Sequence, residues 1–226
     1  MTRPFTAEIV GPAGAGKSTL TNLLRERNAT IRTGLSIWGL PLRLLGTSTF
    51  SSLPDLVALI RSGTTAREDL KLVIQINALR RLLRRESVKG YRGLVLDEGG
   101  VFGLAKLRAF GSGSRASASL AGMSGLVDQV GPTLDVIIWL DAPNAVLIRR
   151  IRERNKPHRT KNLSDGEICD HLDRYRDAFE RVVAELAQRN QIKIIRFRTD
   201  RDLPEDIAKH ILAGDWRENQ ECQQSK

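Results

Sequence analysis

Apolar positions along the chain fall into two kinds of run. Short apolar runs at residues 94–96 and 135–140 read as buried strands of the parallel kind, Phe5–Val10 and 192–197 also read as strands, and a weaker one lies at 31–37. Longer runs repeat at helical spacing: Leu20, Leu23 and Leu24, then Leu70, Val73, Ile74, Asn77, Leu79, Leu82 and Leu83 up to about Gly90. Residues 102–110 form another, as do Val146, Leu147 and Ile151. Pro54 opens a short helix through Ile60. The capping boxes Thr65-Ala66-Arg67-Glu68 and Ser164-Asp165-Gly166-Glu167 open two long helices, the second reaching about Arg189, and Pro204 starts the last. Residues 111–115 and their Ser/Ala-rich continuation read as a mobile loop, and residues 155–163 as a polar, basic one. Strands alternate with helices without an internal repeat, which predicts an α/β domain with a mainly parallel sheet and a ligand site at the carboxyl ends of its strands.

The first strand leads into Gly11-Pro12-Ala13-Gly14-Ala15-Gly16-Lys17-Ser18-Thr19, and a helix follows. This is the phosphate-loop pattern in the context it requires. Its glycines let backbone N–H groups close on a polyphosphate at a helix N-terminus, where the helix dipole also favours negative charge. Lys17 is placed to reach the outer phosphates, and the Ser18 hydroxyl to hold Mg²⁺.

Asp97 ends the apolar strand at 94–96, as an acid holding Mg²⁺ does, and Asp141 stands at another strand end. Glu98 is a carboxylate that would accept a proton from an acceptor hydroxyl in a kinase, or activate water in an ATPase. Arg150 and Arg154 are four apart at a helix end and so share a face, and Lys156, His158 and Arg159 follow on a loop. That is the composition of a closing lid, which neutralises a moving phosphoryl group and excludes water.

A length of 226 residues with 41% hydrophobic and 27% charged residues fits one globular domain. The N-terminus has no signal-peptide core. The apolar stretch 34–60 is broken by Pro41, Arg43, Pro54 and Asp55, so no membrane span is expected. Cys169 and Cys222 lack metal-ligand spacing, and a reduced, cytoplasmic setting is the expectation. The net charge of +10 gathers around Arg80, Arg81, Arg84 and Arg85 and around residues 149–161, but aromatics, 5% of the chain, scarcely interleave these clusters. That argues for phosphorylated small molecules over nucleic acid. Trp139 and Trp216 read as packing residues, and Trp38 as a candidate exception. The oligomeric state is left open, a dimer included.

The whole set resembles the P-loop nucleoside and nucleotide kinases, especially thymidylate-kinase-like and deoxynucleoside-kinase-like proteins. The resemblance is carried by residues 11–19, by Leu94-Val95-Leu96-Asp97-Glu98, and by Trp139-Leu140-Asp141-Ala142-Pro143 followed by Leu147 and Arg150-Ile151-Arg152-Glu153-Arg154. It continues through Ile194-Ile195 and Thr199-Asp200 before Pro204-Glu205-Asp206-Ile207. It implies a three-layer α/β/α domain over residues 1–213 with about five strands, a lid at about 150–163 and a polar tail at 214–226. It implies ATP and Mg²⁺ as cofactors, Arg150 and Arg154 on the transferring phosphates, and Thr199 beside the adenine. It also makes Arg80, Arg108 and Arg115 candidates to hold a substrate phosphate or other anion. Asp97-Glu98 stands where thymidylate kinases usually carry Asp-Arg and deoxynucleoside kinases Glu-Arg, and residues 34–63 match neither. The acceptor is therefore open among a nucleotide, a nucleoside and another hydroxyl- or phosphate-bearing molecule. The rival reading is a P-loop ATPase or switch coupled to a protein or nucleic-acid partner. The chain lacks the Asn-Lys-x-Asp run that reads guanine.

Overall fold

A computed structural model describes residues 3–61, 67–111, 118–154, 160 and 162–214. Five strands, β1 (Phe5–Val10), β2 (Ile31–Leu35), β3 (Gly93–Asp97), β4 (Val136–Asp141) and β5 (Lys193–Arg198), form one sheet in the order β2-β3-β1-β4-β5. Every adjacent pair is parallel. Parallel neighbours need long crossovers, and helices supply them: α1 (Lys17–Arg27), α2 (Leu42–Ser51), α3 (Leu53–Arg61), α4 (Arg67–Glu86), α5 (Gly100–Phe110), α6 (Ala118–Val130), α7 (Asn144–Glu153) and α8 (Asp165–Arg189). A last helix, α9 (Pro204–Ala213), follows β5.

Strand side chains alternate between faces, and two cores result. Phe5, Ala7 and Ile9 join Val95, Ile138 and Leu140 under α1, α7 and α9. Val10, Leu94, Leu96, Ile137 and Trp139 pack under α4, α5, α6 and the second half of α8. Helices on both faces make a three-layer α/β/α domain. No helix among the described residues is long and apolar enough to cross a membrane.

The structure departs from the pattern reading in several places. Residues 42–51, which carry no clear helical period, form α2. Its hydroxyls bond back to carbonyls one turn earlier, Thr47 to Arg43 at 3.0 Å and Thr49 to Leu45 at 3.1 Å, so they do not compete with the helix. The Ser/Ala-rich stretch expected as loop becomes α6 from Ala118, whose later residues Met123, Leu126, Val127 and Val130 are buried. Burial of this face outweighs the weak helix propensity of its glycines and serines. α5 starts two residues before Phe102, and β2 stops at Leu35 rather than 37. The Ser164 capping box forms in full: its hydroxyl accepts the Glu167 N–H, and Glu167 accepts the Ser164 N–H at 2.8 Å. Residues 62–66 with the Thr65 box, residues 112–117 of the expected loop and the tail from 215 lie outside the described residues.

Candidate active site

Residues 11–16 connect the carboxyl end of β1 to α1. Gly11, Gly14 and Gly16 all have positive φ. A Cβ on Gly11 would lie 2.0 Å from the Leu140 carbonyl oxygen, and one on Gly14 would lie 2.9 Å from that of Leu147, so the loop is threaded against β4 and α7. Gly16 has open space instead, on the side where a ligand would approach. Lys17 lies back over the loop and donates to the carbonyls of Gly11 at 2.7 Å and Pro12 at 3.1 Å. Ser18 and Thr19 are exposed in the first turn of α1.

Asp97 stands opposite Ile9 in the β1–β3 register, beside the start of the loop. Burial lowers the Lys17 ammonium pKa, the charges of Asp97 and Glu98 raise it, and Arg154 adds to the lowering. Burial raises Asp97, against the charges of Lys17 and Arg154. These four charged residues, distant in sequence, thus form one electrostatic group at the loop. Asp97, with the Ser18 hydroxyl, offers the hard oxygen donors that suit Mg²⁺, an ion that keeps several waters and phosphate oxygens as its other ligands. Among the described residues no cluster of three or more His, Cys, Asp and Glu would hold a metal by protein ligands alone.

Glu98 occupies the left-handed region at φ 63, which a non-glycine residue adopts at a cost. Its carbonyl accepts the Ile37 N–H at 3.0 Å, and its carboxylate accepts the Trp38 indole N–H. Trp38 is 39% exposed, with the Lys106 ammonium 4.6 Å from its ring centroid and Phe102 against its edge. The exceptional tryptophan therefore orients the candidate base.

Arg150 and Arg154 do not share a helix face. α7 ends at Glu153, and Arg154 follows in extended conformation. Arg150 donates to the Gly14 carbonyl at 3.3 Å, the Thr199 hydroxyl at 2.9 Å and the Thr199 carbonyl at 2.7 Å. It clasps the loop to the end of β5, whereas Arg154 is the arginine in the field of Lys17 and Asp97. Of the candidate acceptor residues, the two that are described, Arg80 and Arg108, make other contacts. Arg80 donates to Asn77 at 3.1 Å and to Gln129, and Arg108 pairs with Glu185 at 3.5 Å. Half-buried guanidinium groups need such partners, and both side chains are committed to helix packing. Arg115, Lys156, His158, Arg159 and Lys161 lie outside the described residues.

Two residues, Arg176 and Glu8, were not singled out from the pattern. Asp141 has a full counter-ion in Arg176: Nε lies 2.9 Å from Oδ2, Nη2 3.0 Å from Oδ1, and Nη2 also donates to the Ala142 carbonyl at 2.8 Å. Asp141 shares its strand-end position with Asp97, and this pairing sets it apart from the loop acids. Its carboxylate closes a structural ion pair, and its carbonyl receives the Thr199 N–H at 2.8 Å. Arg176→Ala is expected to destabilise the fold by about 2 kcal/mol by stranding a partly buried carboxylate, read as a lower urea midpoint. An unchanged midpoint would contradict the assignment.

The second is Glu8, fully buried in the central strand. Burial raises its pKa from 4.5 to about 7, against hydrogen bonds from the amides of Phe102, Val101 and Gly99. The folded state then holds a proton between those two values that the unfolded chain has released. Its contribution to stability is complete below pH 4.5 and is lost as pH rises through 7, about 3 kcal/mol in all. Unfolding in urea at pH 5 and pH 8 should show that loss in the wild type relative to Glu8→Gln. Equal slopes would refute it.

No sequence-family model matches this chain, and no curated protein sequence matches it. Solved structures do share its fold. Deoxyadenosine kinase from M. mycoides, with dCMP and dCDP bound, is similar at a TM-score of 0.55 and 12% identity over 93% of this chain and 98% of that one. The same kinase with dCTP bound gives 0.50 and 13% over 93% and 100%. Shikimate kinase from Bacteroides thetaiotaomicron gives 0.52 and 16% over 92% and 96%. With its five parallel strands, its glycine-rich loop and these likenesses, the chain has the fold of the P-loop kinases.

Proposed function

We propose that this protein is a thymidylate-kinase-like phosphotransferase, dependent on ATP and Mg²⁺, acting on a small hydroxyl- or phosphate-bearing acceptor in the cytoplasm. The observation that carries the reading is the electrostatic group of Lys17, Asp97, Glu98 and Arg154 at the mouth of the glycine loop. Backbone N–H groups of the loop and of the first turn of α1, with the Lys17 ammonium, bind the donor's outer phosphates. Lys17 exchanges its two loop carbonyls for phosphate oxygens as it does so. Asp97 and Ser18 would hold Mg²⁺, which would screen phosphate charge. Glu98, oriented by Trp38, takes the proton of the attacking hydroxyl. Arg154 neutralises charge that builds on the moving phosphoryl group. Arg150 fixes the loop against Thr199 on the side of the base.

The solved structures of this fold include a kinase of a nucleoside and one of shikimate, a carbocyclic alcohol. The acceptor is accordingly to be sought in both classes. ADP release measured across deoxynucleosides, nucleotides, sugars and alcohols should rise well above the acceptor-free rate for one of them. A rate that no acceptor raises, but that a protein or nucleic acid does, would replace this reading with that of an ATPase.

A further inference from the structure

β1 places Thr6, Glu8 and Val10 on the face toward α4 and α5, so Glu8 projects a carboxylate into an apolar layer beside Leu96. Its Oε1 accepts the N–H of Gly99 at 3.0 Å and of Phe102 at 2.8 Å, and Oε2 accepts that of Val101 at 2.9 Å. The first amides of a helix have no partner within it, and Gly99 provides no side-chain cap. Glu8 therefore caps α5 from another element, with the helix dipole in its favour. The approach is close: a Cβ on Gly99 would lie 2.5 Å from Glu8 Oε2.

Between Asp97 and this capped amide lies only Glu98, at its unfavourable φ. The turn is clamped on both sides, by Ile37 and Trp38 at Glu98 and by Glu8 at Gly99. A serine or aspartate cap at position 99 is blocked, since its Cβ would also lie 2.7 Å from Leu96 Cδ2, so the turn depends on Glu8 to hold these amides. We propose that Glu8 is a positioning residue for the Mg²⁺-binding acid: by capping the start of α5 it holds the left-handed turn at Glu98 and keeps Asp97 aimed at the site beside Lys17. The inference rests on the phosphoryl-transfer reading of Asp97.

The test is ATPγS affinity of the full-length protein, measured calorimetrically in EDTA and in Mg²⁺. Glu8→Gln keeps the side chain's shape but sets an NH₂ group against a backbone N–H. It is expected to leave the EDTA affinity unchanged, since Lys17 and the loop amides are untouched, and to lower the gain on adding Mg²⁺ about tenfold. Glu8→Asp keeps the carboxyl group and withdraws it by one methylene, and should show the same loss if Glu8→Gln does not fold. Glu86→Gln, at a buried carboxylate remote from the loop, should keep the full gain. A full Mg²⁺ gain in the folded Glu8 variants would overturn the positioning role alone. A wild type that binds equally with and without Mg²⁺ would overturn the reading of Asp97 and this inference with it.

Discussion

Lys17→Ala is expected to lower phosphoryl transfer about a thousand-fold, the scale seen when one preorganised donor to a transition-state charge is removed. ATP affinity should fall about ten- to a hundred-fold with the loss of a charge-assisted contact. The fold should survive, and the reason lies in the geometry around Lys17. The ammonium is held among backbone carbonyls in a site where burial disfavours its charge. Such a charge contributes little to stability and is kept for what it binds. Thermal unfolding of the variant should therefore stay within about 2 °C of the wild type, since surface-like losses seldom exceed about 0.5 kcal/mol. Lys17→Arg should not restore activity, because a planar guanidinium cannot occupy the place of a compact ammonium over the Gly11 and Pro12 carbonyls. Wild-type turnover and ATP affinity in Lys17→Ala would refute the donor site.

What could be read in the sequence followed from local signals. β3 and β4 are apolar up to their last residue because both their faces are covered, and α8 is capped by Ser164 because its capping box is complete within four residues. The phosphate loop was legible for the same reason: all its parts are contiguous. The contacts that complete the site are not. Glu8 reads as one polar residue in a strand, and the amides it caps lie more than ninety residues away. The cue that was available is that a charge in a strand with apolar neighbours on all sides must have buried partners. Arg176 is hidden in the charged helix α8, while its partner Asp141 stands at a strand end like Asp97 and looks equally reactive. Only the counter-ion distinguishes them. Arg150 and Arg154 were equivalent by spacing, and the end of α7 at Glu153 sends them to different tasks. Least legible were α2 and α6, which lie in stretches without a clear helical period, and only in α6 does a continuous buried face from Met123 to Val130 explain the helix.

The three loop glycines should differ sharply when each is replaced by alanine, with Gly11→Ala the most damaging. Its φ of 142 lies where L-residues are strained, and the added Cβ would stand 2.0 Å from the Leu140 carbonyl oxygen. Neither side can yield cheaply. Leu140 pairs with Phe197 of β5, and the preceding Trp139 pairs with Val10, the residue before Gly11. Strain and overpacking together should cost about 4 kcal/mol, or about 10 °C in melting temperature for a chain of this size. Gly14→Ala meets the Leu147 carbonyl at 2.9 Å and should cost less. Gly16→Ala meets no atom within 4 Å, so only its positive φ is strained, at about 1 kcal/mol. Its methyl would project into the space a phosphate needs, so ATP binding should fail in a protein that is still folded. Differential scanning calorimetry with ATP titration separates the two effects. Equal melting temperatures for Gly11→Ala and Gly16→Ala would show that the loop is not braced against β4. ATP affinity retained in Gly16→Ala would show that the phosphates do not approach from that side. On this reading one sequence pattern serves two physical ends: Gly11 lets the loop pass the sheet, and Gly16 lets the ligand reach the loop.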